Sequence, residues 1–241
     1  WRTMRTRLRR RRKRTSSGAI RMIENNVYNR KDKSANLWEG ISCDDYNRHM
    51  KDPAVFQSQT LGEIFKKCAQ EIQPKSVLVL GCTDGNGFEH IDENITRTVT
   101  GIDINKSFLD KCFDRFGKKK YALKLVCCDF EKDDCKIETV DFVSCALFLE
   151  YVDIEKTFDK IKSIMKPTSV LNIVIQRNND NEFVSETGIK SLESLAAIAA
   201  EINQAKLCSY LEKSGITVES SEIYNLPNGK DLISYCCQVS A

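Results

Sequence analysis

The amino-acid sequence predicts an α/β fold, a doubly wound and mostly parallel seven-stranded sheet that ends in an antiparallel hairpin. Continuous apolar runs of strand length alternate with segments whose apolar residues recur at helical spacing. This pattern is typical of a parallel sheet with helices on both faces. Near the end of the chain, two strand-like runs are joined by the turn signal "PNG". The 241 residues are enough for one large domain with a buried core.

Seven segments carry the strand pattern. The first five are unbroken apolar runs, which predicts strands that are buried on both faces. The last two flank the PNG turn and are expected to pair with each other. In chain order the segments are SVLVLG, TVTGID, YALKLVCCD, TVDFVSCALF, SVLNIVIQ, ITVESSEIYNL and DLISYCCQV.

Capping residues and helix breakers indicate where the helices begin and end. Asp52 followed by Pro53 is typical of an N-cap and a first helical position, and Pro74 is expected to end that helix. Asn105 and Asp153 are expected to cap the next two helices, and one or two more precede the hairpin. The residues expected to end these later helices are Gly117, Pro167 and Gly215.

Basic residues are concentrated at the start of the chain. Residues 1–21 hold ten of the 37 Lys and Arg residues and no acid, so the remainder carries 27 basic against 34 acidic residues. Three interpretations of this tail stay open: non-native sequence upstream of Met22, a solvated disordered tail, or an arm that binds RNA. We therefore expect a tail (1–21), an N-terminal lid segment (22–51) and a main domain (52–241).

The cysteines and the hydropathy pattern indicate the compartment. The chain has eleven cysteines but only two histidines, His49 and His90, and no C-x-x-C pair. Several cysteines, such as Cys127 and Cys145, lie in apolar strands, where cysteine behaves as a small hydrophobic residue. We therefore expect neither a metal site nor a disulfide, and a reducing, cytoplasmic location. No apolar run approaches the roughly 18–20 residues of a membrane span, so no membrane association is expected.

The stretch "VLVLGCTDGNGFEHI", Val77 to Ile91, joins the first predicted strand to a glycine-rich turn. Such a turn places the backbone close to a ligand at the carboxyl ends of parallel strands. A dinucleotide fingerprint that begins at Gly85 and Gly87 would need a third glycine where His90 stands. A phosphate-binding loop would need Gly-Lys-Ser or Gly-Lys-Thr, which is missing. Neither kind of nucleotide site is predicted.

With the spacing Gly81-x-x-x-Gly85-x-Gly87, residues 52–238 resemble the class I S-adenosylmethionine (SAM)-dependent methyltransferases, which have a Rossmann-like fold. The resemblance implies that the glycine loop wraps the methionine part of SAM. It also implies that Asp103, at the end of the second strand, binds the ribose hydroxyls and that Asp129, at the end of the third, lies near the adenine. The cofactor-binding residues that it implies are Gly81, Cys82, Gly85, Gly87, Asp103, Ile104, Asp129, Phe130 and Ala146.

The loop departs from the pattern of that family at two positions. Val79 stands where the family usually has an acid, and Thr83 replaces the middle glycine. Because a β-branched residue resists positive φ, we expect the turn to follow a somewhat different path. The neighbouring Asp84 is a candidate to replace the lost charge near the ammonium group of the cofactor.

The resemblance implies a methyltransferase, but the acceptor is not encoded in a motif. The Asn/Asp-Pro-Pro-aromatic motif of DNA-base enzymes and the Pro-Cys context of RNA cytosine enzymes are both missing. The polar loop 177–190 and the lid are expected to wall the acceptor pocket, and Glu150, Tyr46 and His49 are candidates for catalytic residues. We therefore expect a small-molecule acceptor. An inactive or regulatory SAM-binding module and an RNA methyltransferase that uses the basic tail are the alternatives.

Overall fold

The computed structural model describes residues 22–24 and 36–239, so the basic tail and the interpretations made for it lie outside the described residues. One mixed sheet of eight strands runs through the described part. Its strands are β1 Met22–Glu24, β2 Ser76–Leu80, β3 Thr98–Asp103, β4 Ala122–Cys127, β5 Val140–Ala146, β6 Met165–Arg177, β7 Ile216–Asn225 and β8 Asp231–Val239.

Across the sheet the strand order is β1-β4-β3-β2-β5-β6-β8-β7. Neighbouring strands are parallel except for β8, which runs antiparallel to both β6 and β7. The seven predicted strands and the hairpin at the end are confirmed. The short strand β1 was not predicted. It pairs with β4 at the sheet edge, so the segment expected to be a lid begins with a strand of the sheet.

Helices cover both faces of this sheet. Helices α2 and α3 contribute Phe65 and Phe116 to the core on one face, while α4 and α6 contribute Phe158 and Leu207 to the core on the other. Successive strand residues alternate between these two cores, as expected for strands buried on both sides. The helices are α1 Cys43–Lys51, α2 Gln57–Ile72, α3 Lys106–Phe116, α4 Ile154–Ser163, α5 Lys190–Glu193 and α6 Gln204–Lys213.

Two predicted helix boundaries are wrong. Asp52 does not cap α2. It ends α1, and its carboxylate accepts a hydrogen bond from the Ala54 N–H in a short turn that contains Pro53. Pro167 does not end α4 either, because α4 stops at Ser163 and the proline lies in the first residues of β6. The predicted caps Asn105 and Asp153 are confirmed, since each side chain accepts backbone hydrogen bonds from its helix.

The glycine loop is not followed by an α-helix. Between β2 and β3, where every residue is described, the only helical turn is the 3₁₀ turn Phe88–His90. Phe88 is completely buried in the core and Ile91 is nearly so, which gives this short connection an apolar anchor against the sheet. The unit that begins with β2 therefore consists of a strand, the glycine turn and a single helical turn.

The structure also corrects the expectation of no disulfide. Cys128 and Cys135 are joined, which closes the connection that follows β4 into a small ring. None of the other described cysteines is in a disulfide. Sequence spacing gave no indication of this pair, because the two residues are brought together by the irregular path of the connection between β4 and β5.

Replacing Phe158 with Ala is expected to lower the free energy of unfolding by about 3–5 kcal/mol, because the ring is fully buried between α4 and the sheet. Urea unfolding of the two proteins measures the difference. Asp159→Ala, at the exposed neighbouring position, is the control and should change stability by less than about 0.5 kcal/mol. Equal stabilities of the Phe158→Ala variant and the wild type would contradict the core assignment.

Candidate functional site

A cavity of about 650 Å³, counting its part open to solvent, lies where β3, β4 and β5 end. The parallel strands bring the ends of these strands, and the loop after β2, to the same edge of the sheet. The predicted residues in its wall are Gly81, Asp103, Ile104, Asp129, Phe130, Ala146 and Tyr46. We call it the first cavity.

Asp103 holds the loops at this edge together. Its carboxylate accepts hydrogen bonds from the Thr83 N–H of the glycine loop (2.9 Å) and from the Asn105 N–H (2.8 Å). A carboxylate offers about four acceptor positions, so two donors leave room for further hydrogen bonds to a ligand. Because the side chain is only 7% exposed and desolvation favours its neutral form, the pKa of Asp103 is raised to about 6.

Asn105 connects this centre to the N-terminal segment. Its side-chain oxygen caps α3 by accepting from the Ser107 N–H, at 2.9 Å. Its amide group donates to the carbonyl oxygens of Trp38 (2.8 Å) and Ile41 (2.9 Å). A single buried side chain therefore fixes both the start of a helix and the segment that covers the first cavity.

The glycine loop adopts left-handed backbone at four positions, three of them glycines. A Cβ atom on Gly85 would lie 2.7 Å from the Phe116 ring, and one on Gly87 would lie 2.8 Å from the Phe65 ring. These two glycines therefore let the loop pack on the core, and they do not line the first cavity. Thr83 has a φ of +48° despite its β-branch, so the expected avoidance of this conformation is wrong. Its hydrogen bond to Asp103 stabilises the conformation.

Asp84 does not face the first cavity. Arg115 binds its carboxylate at 2.7 Å, and the Asn47 amide donates to the same oxygen at 3.0 Å. The structure thus places Asp84 in an ion pair at the outer side of the glycine loop, which leaves it unsuited to the role suggested from the sequence. Val79 of β2 is buried in the hydrophobic core that contains Phe65 and Phe116.

The connection after β4 forms the opposite wall of the first cavity. Asp129 and Phe130 lie inside the ring closed by the Cys128–Cys135 disulfide. Lys160 of α4 donates to the backbone oxygen of Phe130 at 2.8 Å, which anchors the same connection from below. The disulfide therefore constrains the two ends of this segment, and the Lys160 hydrogen bond constrains its middle.

A second cavity, of about 490 Å³ counting its open part, lies next to the first. Both are lined by Trp38, Tyr46, Leu147 and Tyr151, so the two cavities adjoin at these residues. Leu147 has a φ of +49°, a strained conformation that is found most often at functional sites. Residues 36–50 of the N-terminal segment and the loop after β6 both contribute to the second cavity.

All three catalytic candidates line the second cavity. The imidazole Nδ1 of His49 lies 2.8 Å from the Thr187 hydroxyl, and burial lowers the pKa of this histidine. Burial raises the pKa of Glu150 to about 7, and its Oε1 accepts from the Gln176 N–H at 3.0 Å. Tyr46 packs its ring against Trp38 and Phe108.

Sequence reasoning located part of this site. Cys82 is outside the first cavity and packs against Gly101 of β3, where a Cβ would lie 2.7 Å from its sulfur. Further residues that line the first cavity were not among the predicted site residues, and they include Trp38, Leu147, Phe148 and Tyr151. For Trp38 the one signal in the sequence is an aromatic residue in an otherwise polar N-terminal segment.

A family model described as "Methyltransferase domain" matches residues 78–173, the part of the chain that includes the glycine loop, Asp103 and Asp129. This match is consistent with the class I methyltransferase resemblance that the sequence indicated. A search of curated proteins found no match. In the described part, no helix is long and apolar enough to cross a membrane, and no cluster of three or more His, Cys, Asp or Glu is placed to hold a metal ion.

Solved structures with the same fold have distant sequences. The N-methyltransferase NodS from Bradyrhizobium japonicum WM9, in complex with S-adenosylhomocysteine, matches 85% of this chain and 99% of its own at 14% identity and a TM-score of 0.61. The magnesium protoporphyrin IX methyltransferase of Synechocystis PCC 6803, also with S-adenosylhomocysteine bound, matches 81% of this chain and 93% of its own, at 15% identity and a TM-score of 0.57. The [4+2]-cyclase SpnF matches 76% of this chain and 83% of its own, at 10% identity and a TM-score of 0.59. At such identities the likeness shows the fold alone.

SAM is the cofactor that this domain implies, and the first cavity fits it. Gly81 lacks a side chain where a Cβ would lie 3.0 Å from the Phe148 ring, which keeps the floor of the cavity free. Asp103 has acceptor capacity for ribose hydroxyls, and the Ile104 and Phe130 side chains provide apolar walls for an adenine ring. Asp129 stands at the same end of the cavity as Phe130.

Replacing Asn105 with Asp is expected to free the N-terminal segment without removing the helix cap. A carboxylate oxygen still caps α3, but the other cannot donate to the Trp38 and Ile41 carbonyl oxygens. Hydrogen exchange should therefore accelerate in α1 while that of α3 stays close to wild type. Asn105→Ala, which loses both functions, should in addition lower stability by about 1 kcal/mol. Unchanged exchange in α1 of the Asn105→Asp variant would contradict this role.

Proposed function

We propose that this protein transfers a methyl group from SAM to a small-molecule acceptor. SAM would occupy the first cavity and the acceptor the second. The observation that carries this proposal is the contact between the two cavities, which have the side chains of Trp38, Tyr46, Leu147 and Tyr151 in common. A displacement reaction needs its two reactants in adjoining sites along one line of approach.

The residues of this chain would mainly position the reactants and exclude water. When bound, SAM supplies an electrophilic methyl group on a sulfonium, so the protein does not need to activate the methyl donor. Asp103 and the glycine loop would orient the cofactor, and the aromatic rings of the N-terminal segment would shield the reaction from solvent.

A small acceptor is favoured over a macromolecule by the covering of the second cavity. The N-terminal segment, with Trp38 and Met50, lies on one side, and Phe183, Leu192 and Leu195 lie on the other. Its mostly apolar walls and limited volume are typical of pockets that enclose small organic molecules.

Replacing Asp103 with Ala is expected to weaken SAM and S-adenosylhomocysteine binding about tenfold or more, because the ribose hydroxyls lose their acceptor. Isothermal titration calorimetry measures this, with micromolar binding expected for the wild type. Asp114→Ala, an exposed acid on the same helix as the Asn105 cap, is the matched control and should leave binding unchanged. A folded wild-type protein that binds neither compound would favour the alternative, a methyltransferase fold that has lost its chemistry.

SAM affinity is expected to fall as the pH falls through about 6. The folded pKa of Asp103 is raised to about 6, and only the carboxylate accepts hydrogen bonds with both oxygens. Below that pH, protonation should weaken binding about tenfold per pH unit, whereas binding should be nearly constant above it. Titration calorimetry between about pH 5 and 8 measures the profile. Asp103→Asn should bind weakly with no such slope, and a wild-type profile that is flat would contradict the assignment.

A further inference from the structure

We propose that the second cavity takes an amine as the methyl acceptor, with the Glu150 carboxylate bound to the amine nitrogen and the aromatic side chains around its hydrophobic body. This inference rests on the proposed function, because it names the class of acceptor for the same site.

The first observation is a buried carboxylate oxygen that lacks a donor. Glu150 is 1% exposed and lines the second cavity. Its Oε1 accepts a hydrogen bond from the Gln176 N–H, but its Oε2 has no hydrogen-bond partner among the described residues. Leaving a charged oxygen buried without a donor is costly, so the site is incomplete without a ligand that donates there.

The second observation is the charge of the cavity. None of the described residues that line it is Lys or Arg. The neighbouring Lys230 is 2% exposed and does not line the cavity, and its ammonium group donates to Phe183 O and Ser185 Oγ, both at 2.9 Å. Burial holds His49 towards its neutral form. An acidic acceptor would find no counterion here and would face Glu150, whereas an ammonium group would neutralise it.

The third observation is the chain of aromatic rings around the carboxylate. The Trp38 and Tyr151 ring centroids lie 5.0 Å apart, edge to face, and those of Tyr151 and Phe183 lie 6.2 Å apart. Tyr46 extends this chain on the far side of Trp38. Aromatic faces attract cations, and their area suits the hydrophobic body of an arylalkyl or alkyl amine.

The reaction then balances without another reactant. The bound ammonium gives one proton to the Glu150 carboxylate and becomes a neutral amine. The nitrogen lone pair forms the new C–N bond as the methyl–sulfur bond of SAM breaks, and S-adenosylhomocysteine leaves with that electron pair. The methylated ammonium product carries the positive charge away, and the proton on Glu150 passes to solvent. Glu150 would therefore be a catalytic residue, because it touches the acceptor nitrogen.

Trp38 supplies a direct test. The chain has two tryptophans, Trp1 and Trp38, so Trp1→Phe in the full-length protein leaves Trp38, in the wall of the cavity, as the single tryptophan whose emission is followed. We would titrate this protein at about pH 8, where Glu150 is ionised, with three probes of similar shape: 2-phenylethylamine, 2-phenylethanol and 3-phenylpropanoate. The same titrations on Glu150→Gln, which can still accept from the Gln176 N–H, isolate the charge.

The amine is expected to bind about tenfold or more tightly than the alcohol, and Glu150→Gln should abolish that preference while leaving alcohol binding unchanged. With SAM present, mass spectrometry should find the added methyl on nitrogen. Equal binding of amine and alcohol, preference for the carboxylate, no binding at millimolar probe, or an unaltered preference in Glu150→Gln would each overturn the proposal. Calorimetry with S-adenosylhomocysteine on both proteins separates this failure from failure of the proposed function. Glu150→Gln should bind S-adenosylhomocysteine as tightly as the wild type does. Only a wild-type protein that fails to bind this compound would count against the proposed methyltransferase function.

Discussion

The site depends on one buried carboxylate. Asp103 accepts backbone hydrogen bonds from the glycine loop and from the start of α3, two segments that are adjacent only because β2 and β3 pair in parallel. Removing it would leave both donors without a partner and would release the strained conformation of Thr83. The same carboxylate is held at a raised pKa by burial, so the group that organises the site is also a group that titrates. Geometry and acid–base behaviour cannot be tuned separately at this position.

The fold was predictable because its signals are local. Apolar runs, caps such as Asn105 and the PNG turn each act within a few residues, and the acids at the ends of β3 and β4 are defined by strand position alone. Asp52 was predicted to cap a helix because its carboxylate can accept a backbone hydrogen bond, but such a hydrogen bond also stabilises a single turn, as it does here with the Ala54 N–H. After Gly87 the chain forms only the 3₁₀ turn Phe88–His90 and an irregular connection to β3, with Phe88 buried in the core.

The site was only partly predictable because much of it is assembled from distant segments. Trp38 and Phe183 belong to segments that are distant in sequence, yet both approach Tyr151. No local pattern marks such contacts. The role of Asp84 was misjudged for the same reason, because its partner Arg115 lies on a different element, and Asp84 does not line the first cavity. Positive φ at Leu147 also follows from tertiary packing and not from its residue type.

The disulfide between Cys128 and Cys135 makes one wall of the first cavity depend on whether the protein is oxidised or reduced. It closes a ring that contains Asp129 and Phe130, so the segment against one end of the first cavity has fewer conformations when the two sulfurs are joined. A preparation kept in reductant and one exposed to air therefore hold that segment under different constraint. Ligand affinities measured on the two preparations describe two covalently different proteins and should not be averaged.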